Sequence, residues 1–103
     1  MTSLNQRAIA IYKNKGYICD TVESYNSFTK RKKDLFTIFD VVAVGNKETV
    51  GIQLTSKSNM SARIRKITES DALPYLLSAG WRVVVLGFYK QPNGRWACKE
   101  FEF

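Results

Sequence analysis

Histidine is missing from this 103-residue chain, and cysteine and proline occur only twice each. Without histidine there is no Ser-His-Asp triad and no imidazole general base. Cys19 and Cys98 lie far apart, with no His beside them to complete a metal set. Two isolated thiols of this kind read as packed side chains, not as a disulfide or a zinc site. Long apolar runs are also missing. The longest, Val83 to Tyr89, is interrupted by Gly87 and is far shorter than the ~20 residues a membrane span needs. The opening MTSLNQRA lacks the basic segment and apolar core of a secretory signal. A cytoplasmic protein with no membrane partner is the expectation.

What is present is ordinary for one folded domain: 45% hydrophobic and 24% charged residues. The formal net charge is +7. Lys30 to Lys66 holds nine Lys or Arg against three acids, so almost all of the excess comes from that stretch. Positive charge concentrated in this way favours a polyanion, because neutralising phosphates releases counterions. A merely solvated basic surface is the plainer alternative.

The local signals suggest the element order α-β-β-β-α-β-β. Ser3 can cap a helix over Leu4 to Lys15, where Leu4, Ala8, Ile11 and Tyr12 fall at helical spacing and Gly16 provides the stop. Tyr17 to Glu23 reads as a strand with imperfect alternation. Ser24 to Lys33 reads as a polar loop. In it Lys30, Arg31, Lys32 and Lys33 repel one another unless an anion is near, so phosphate contact is expected. Tyr25 and Phe28 are expected to fold back onto the core, with stacking on bases as the alternative. Leu35 to Val44 reads as a strand that places Phe36, Ile38, Asp40 and Val42 on one face. After a Gly45-Asn46 turn, Thr49 to Thr55 reads as its antiparallel partner. Val50, Ile52 and Leu54 take one face, and Gly51, Gln53 and Thr55 the other, with open space at the glycine. A helix over Met60 to Thr68 follows, capped by Ser58 or Asn59, then a second helical segment ending at Gly80. Trp81 to Tyr89 reads as a buried strand, and Arg95 to Phe103 as its hairpin partner.

Asp40 stands inside the apolar segment FTIFDVVAV. A carboxylate withdrawn from water needs a basic partner, backbone hydrogen bonds or a cation. Strand pairing would bring Asp40 close to Gln53 and Thr55. A carboxylate, an amide oxygen and nearby carbonyls are hard oxygen ligands suited to Mg²⁺ or Mn²⁺.

With Asp40 on one strand and a polar Q-x-T on the next, the chain resembles the PD-(D/E)XK nuclease superfamily. It looks most like small members akin to archaeal Holliday-junction resolvases. The resemblance implies a single restriction-endonuclease-like α/β domain, with a central mixed sheet flanked by helices. It implies a metal-dependent endonuclease acting on duplex or branched DNA, with Asp40 as the motif's Asp and Gln53 at its Asp/Glu position. Glu23 is the further acidic residue that often joins such a site, and Asp34 is a supporting ligand or an anchor for the basic loop. Thr55 falls where the family has Lys. Lys57 lies two residues further in the same strand phase, and Arg63 or Lys66 could project from the following helix. Together with Tyr25, the four bases of the loop and Arg65, these cations form the expected DNA-contacting set. One site per chain means that cutting both strands takes two copies, a homodimer, or two binding events. Two other readings remain open: a nuclease fold that binds DNA without cutting it, and a protein-interaction domain using the terminal KEFEF at a sheet edge.

Overall fold

The computed structural model describes residues 3–103, with the side chains of residues 24–26, 31 and 32 outside the described set. Tyr25, Arg31 and Lys32, all expected DNA contacts, are therefore not described as side chains. The chain runs α1 (Leu4–Asn14), β1 (Ile18–Thr21), β2 (Ser24–Asn26), β3 (Arg31–Lys33), β4 (Val41–Gly45), β5 (Glu48–Ser56), a 3-10 turn (Lys57–Asn59), α2 (Met60–Thr68), α3 (Leu73–Ser78), β6 (Arg82–Lys90) and β7 (Trp96–Glu102). The fold is α/β. A five-stranded mixed sheet has the order β1-β4-β5-β6-β7, and a separate two-stranded sheet is formed by β2 and β3. Among the described residues no helix is long and apolar enough to cross a membrane.

Each element follows from its residues. The Ser3 hydroxyl accepts from the Gln6 amide, and the Gln6 side chain accepts from the Ser3 amide, so α1 starts with a complete capping box. β4 and β5 meet in a hairpin whose two loop residues, Asn46 and Lys47, have φ of 50° and 63°, a type I′ signature. β5 and β6 run parallel, with α2 and α3 forming the crossover that parallel strands require. β6 and β7 close the sheet as an antiparallel hairpin, which leaves β7 at an edge.

Alternation along the strands divides the core in two. Val41, Ala43, Val50, Ile52, Leu54, Val84, Leu86 and Phe88 pack against Ala8 and Tyr12 of α1. Val83 and Val85 face Met60, Ile67, Leu73 and Leu76 of α2 and α3, together with Ile38 and Phe39. Gln53 and Thr55 lie in β5 on this second side and are both buried.

Several expectations are corrected. Leu35 to Val44 is not one strand. Residues 35–39 form a tight turn in which Leu35 N donates to Phe39 O, Ile38 N and Phe39 N donate to Leu35 O, and Phe36 and Thr37 take φ of 55° and 59°. Adjacent Ile38 and Phe39 are both buried, which a strand with one solvent face could not provide. The space beside Gly51 is not open either: a Cβ there would lie 2.4 Å from Phe39 Cζ, so the glycine exists to admit that ring. The polar stretch 24–33 is not an irregular loop but an antiparallel hairpin, with Ser24 opposite Lys33 and Asn26 opposite Arg31. Phe28 at its tip does not fold onto the core; it is 98% exposed.

A candidate metal centre at the sheet edge

The turn at 35–39 decides where the carboxylates go. It delivers Asp40 to the start of β4, where the Asp40 amide donates to Ile52 O and the Val22 amide donates to Asp40 O. Asp40 is thus tied to β5 on one side and to the end of β1 on the other. The residue is 4% exposed. Oδ2 accepts from Gln53 Nε2 and from the Leu54 amide, each at 2.9 Å. A buried carboxylate needs donors of this kind.

Glu23 lies two residues beyond the end of β1, and its Oε1 accepts from Asn5 Nδ2 of α1 at 2.8 Å. Asp34 lies at the other foot of the β2–β3 hairpin, with its backbone carbonyl accepting from the Thr37 amide. The Asp34 Oδ1 atom is buried with no hydrogen-bond partner among the described residues. Glu23 and Asp40 are engaged beyond the contacts named here. One oxygen from each of Glu23, Asp34 and Asp40 lies within 4.8 Å of the other two. In a chain of net charge +7, three of its nine acids gather at one point.

No protein family, curated protein or solved structure matches this chain.

The donor set fits a hard divalent cation. Two oxygens on one Mg²⁺ can stand no more than about 4.2 Å apart, twice a bond of ~2.1 Å. The three oxygens lie within 4.8 Å of one another, so sharing one ion takes an inward movement of the carboxylates. Oxygen-only coordination excludes a preference for soft metals. Three carboxylates this close repel one another unless positive charge, from a cation or a basic side chain, lies among them.

The remaining sequence-predicted residues fall in distinct places. Gln53 turns its amide nitrogen to Asp40 and also donates to Leu54 O at 3.3 Å, so in this arrangement it holds the carboxylate in place. Thr55 is buried opposite Gly87. Lys57 leaves β5 at the 3-10 turn and sets its ammonium 4.6 Å from the centre of the Tyr89 ring, a cation–π contact. Arg63, Arg65 and Lys66 sit on α2, which packs on the sheet side that carries Gln53. Lys30 and Lys33 are exposed. A groove of about 480 Å³ lined by Val22, Lys33, Asp34, Leu35, Phe36 and Thr37 runs past the cluster. The part of the site that sequence reasoning missed is the positioning shell of Asn5 and the 35–39 turn. Neither has a short-range signature, because Asn5 meets Glu23 across 18 residues.

Proposed function

We propose that this chain is a divalent-metal-dependent endodeoxyribonuclease that hydrolyses phosphodiester bonds in duplex or branched DNA, as its resemblance to the PD-(D/E)XK superfamily suggests. One observation carries the reading: Glu23, Asp34 and Asp40 converge at the foot of a hairpin that contains four consecutive bases. Mg²⁺ or Mn²⁺ held there would lower the pKa of a bound water and stabilise charge on the phosphate.

The protein's own groups do the rest. Asn5 orients Glu23, while Gln53 and the Leu54 amide orient Asp40, so two carboxylates are fixed before any ligand arrives. Asp34, with a buried oxygen that has no hydrogen-bond partner among the described residues, supplies the third. Lys33 lies in the groove beside Asp34 and draws in the phosphodiester backbone, with Lys30 further along the hairpin. Arg63, Arg65 and Lys66 extend positive charge along α2.

A second reading, DNA binding without cleavage, is favoured by a separate observation. Thr55 occupies the position where the resemblance places Lys, and the Lys57 ammonium is engaged with Tyr89. The two are separated by incubating supercoiled plasmid and a four-way junction with Mg²⁺, Mn²⁺ or EDTA. The nuclease reading expects metal-dependent cutting that Asp40→Asn abolishes. Salt-sensitive binding with no cutting in any metal would transfer the assignment to the second reading, and no binding would remove both.

A further inference from the structure

One face of the five-stranded sheet carries a single helix. Five strands at ~4.8 Å spacing span about 20 Å, whereas a helix with its side chains is only ~10 Å across. The helices α2 and α3 share one face. On the other, α1 packs chiefly over β1, β4 and β5, so the β6–β7 half has less cover. Register identifies the residues there. Phe88 is opposite Cys98 and Lys90 is opposite Trp96, so Trp96 and Cys98 share the face of Phe88, a member of the core beneath α1.

Between α1 and this strip lies a cleft of about 490 Å³, bounded by Arg7, Ala10, Ile11, Phe88, Trp96 and Cys98. That volume is within the range of small-molecule sites. The walls are largely apolar, and Trp96 is still 46% exposed. Charge is distributed unevenly along the cleft. The Arg7 guanidinium lies over the Trp96 ring, 4.8 Å from its centre, and has no carboxylate partner among the described residues. Lys90 stands opposite Trp96 across the ladder, which adds positive charge at that end. Gln6, beside Arg7, commits its Oε1 to the Ser3 amide and keeps its NH2 group as a donor. At the other end, Glu100 follows Cys98 on the same face of β7.

We propose that this cleft binds a small aromatic anion, with its ring system against Ile11, Phe88 and Trp96 and its acid group at Arg7. The proposal does not depend on the nuclease reading. A flat ring suits walls built from two aromatic side chains and a small residue, Ala10. A guanidinium resting on an aromatic face still directs its N–H donors outward, in the fork that matches a carboxylate or sulfonate. Glu100 repels the acid group from the far end, so the charges fix the orientation of the ligand as well as its class. A neutral molecule of the same shape gains the apolar burial alone.

The test titrates the whole chain with 2-naphthoate and with its neutral analogue 2-naphthylmethanol, followed by NMR of the two tryptophan indole N–H groups. Naphthoate should shift the Trp96 signal saturably and leave Trp81, which packs on the opposite face, unmoved. It should bind about tenfold or more tightly than the alcohol. Arg7→Met keeps an apolar stem over Trp96; it should lose that preference while retaining its affinity for the alcohol. Ala10→Trp fills the cleft from an exposed helix position and should abolish binding of both. No saturable shift at Trp96, or a naphthoate affinity unchanged in Arg7→Met, would overturn the proposal. Displacement of bound naphthoate by duplex DNA would place the cleft on a DNA-binding surface and overturn it as well.

Discussion

Asp40 is the residue whose replacement separates metal binding from folding most cleanly. Its Oδ2 accepts from two buried donors, Gln53 Nε2 and the Leu54 amide. Asp40→Ala strands both, and each unmet buried donor costs about 1–3 kcal/mol. The alanine variant therefore loses about 2–6 kcal/mol, a large share of the 5–15 kcal/mol or so that a domain possesses. Inactivity in that variant would prove nothing about metal. Asp40→Asn keeps the volume, and its amide oxygen can accept from the same two donors. What it removes is one negative charge of the three within 4.8 Å, and the loss of repulsion offsets part of the weakened hydrogen bonding. An ion bound only by the folded chain, present at about ten times its Kd, stabilises by RT ln 11, about 1.4 kcal/mol. For a domain near 100 residues this raises Tm by roughly 6–11 °C. Thermal melts in EDTA and in rising Mn²⁺ should show that rise in wild type, and less than about a third of it in Asp40→Asn. An equal rise in both proteins would place the ion elsewhere, and no rise in wild type would refute the site.

Three other outcomes follow from the geometry. Gly51→Ala forces a methyl into the Phe39 ring, which is itself stacked on Trp81 with centroids 5.8 Å apart, and should cost at least about 1–3 kcal/mol; a denaturant midpoint equal to wild type would contradict the packing. Lys57→Met should change the cleavage rate by less than about tenfold, because its ammonium sits on Tyr89, whereas a lysine acting on the attacked water would cost ~10²-fold or more. Glu48, hydrogen-bonded by Tyr17 and then by Arg82, and Glu102, hydrogen-bonded by Arg82, have carboxyls held below their usual range. A carboxyl whose pKa is lower folded than unfolded stabilises the fold at neutral pH and loses that contribution as pH falls through the folded value. Tm should thus hold steady to about pH 4.5 and fall below it, and Arg82→Met should start lower and decline less steeply; an identical acid slope would contradict the network.

Local chemistry made much of the fold legible. The Ser3 cap, the helix over Met60 to Thr68 and the Gly80 stop, with φ 84°, are each specified within a few residues. The two faces of β5 and the nearly continuous apolar run of β6 carry their partners in their patterning. The 35–39 turn was not legible. Its alternating apolar residues imitate a strand, and the competing arrangement is decided by Phe39 filling the space over Gly51, a contact formed only after β4 and β5 pair. The β2–β3 hairpin was hidden for the opposite reason. Its strand sequences, SYN and RKK, carry no apolar alternation, so hydrophobic periodicity is silent. Within the candidate site, an Asp in an apolar run identified Asp40 at once, and position along the chain suggested Glu23 and Asp34. The amide of Gln53 could be read as a ligand or as a donor, and only the cross-strand geometry shows it donating to Asp40.

The central claim is that Glu23, Asp34 and Asp40 together hold a divalent cation. Its most direct test is a Mn²⁺ titration followed by the electron paramagnetic resonance of the free ion, in wild type, Asp34→Asn and Asp40→Asn. One saturable site per chain in wild type, weakened at least about tenfold in each variant, is the predicted result. No saturable binding in wild type, or the same site intact in both variants, would contradict it.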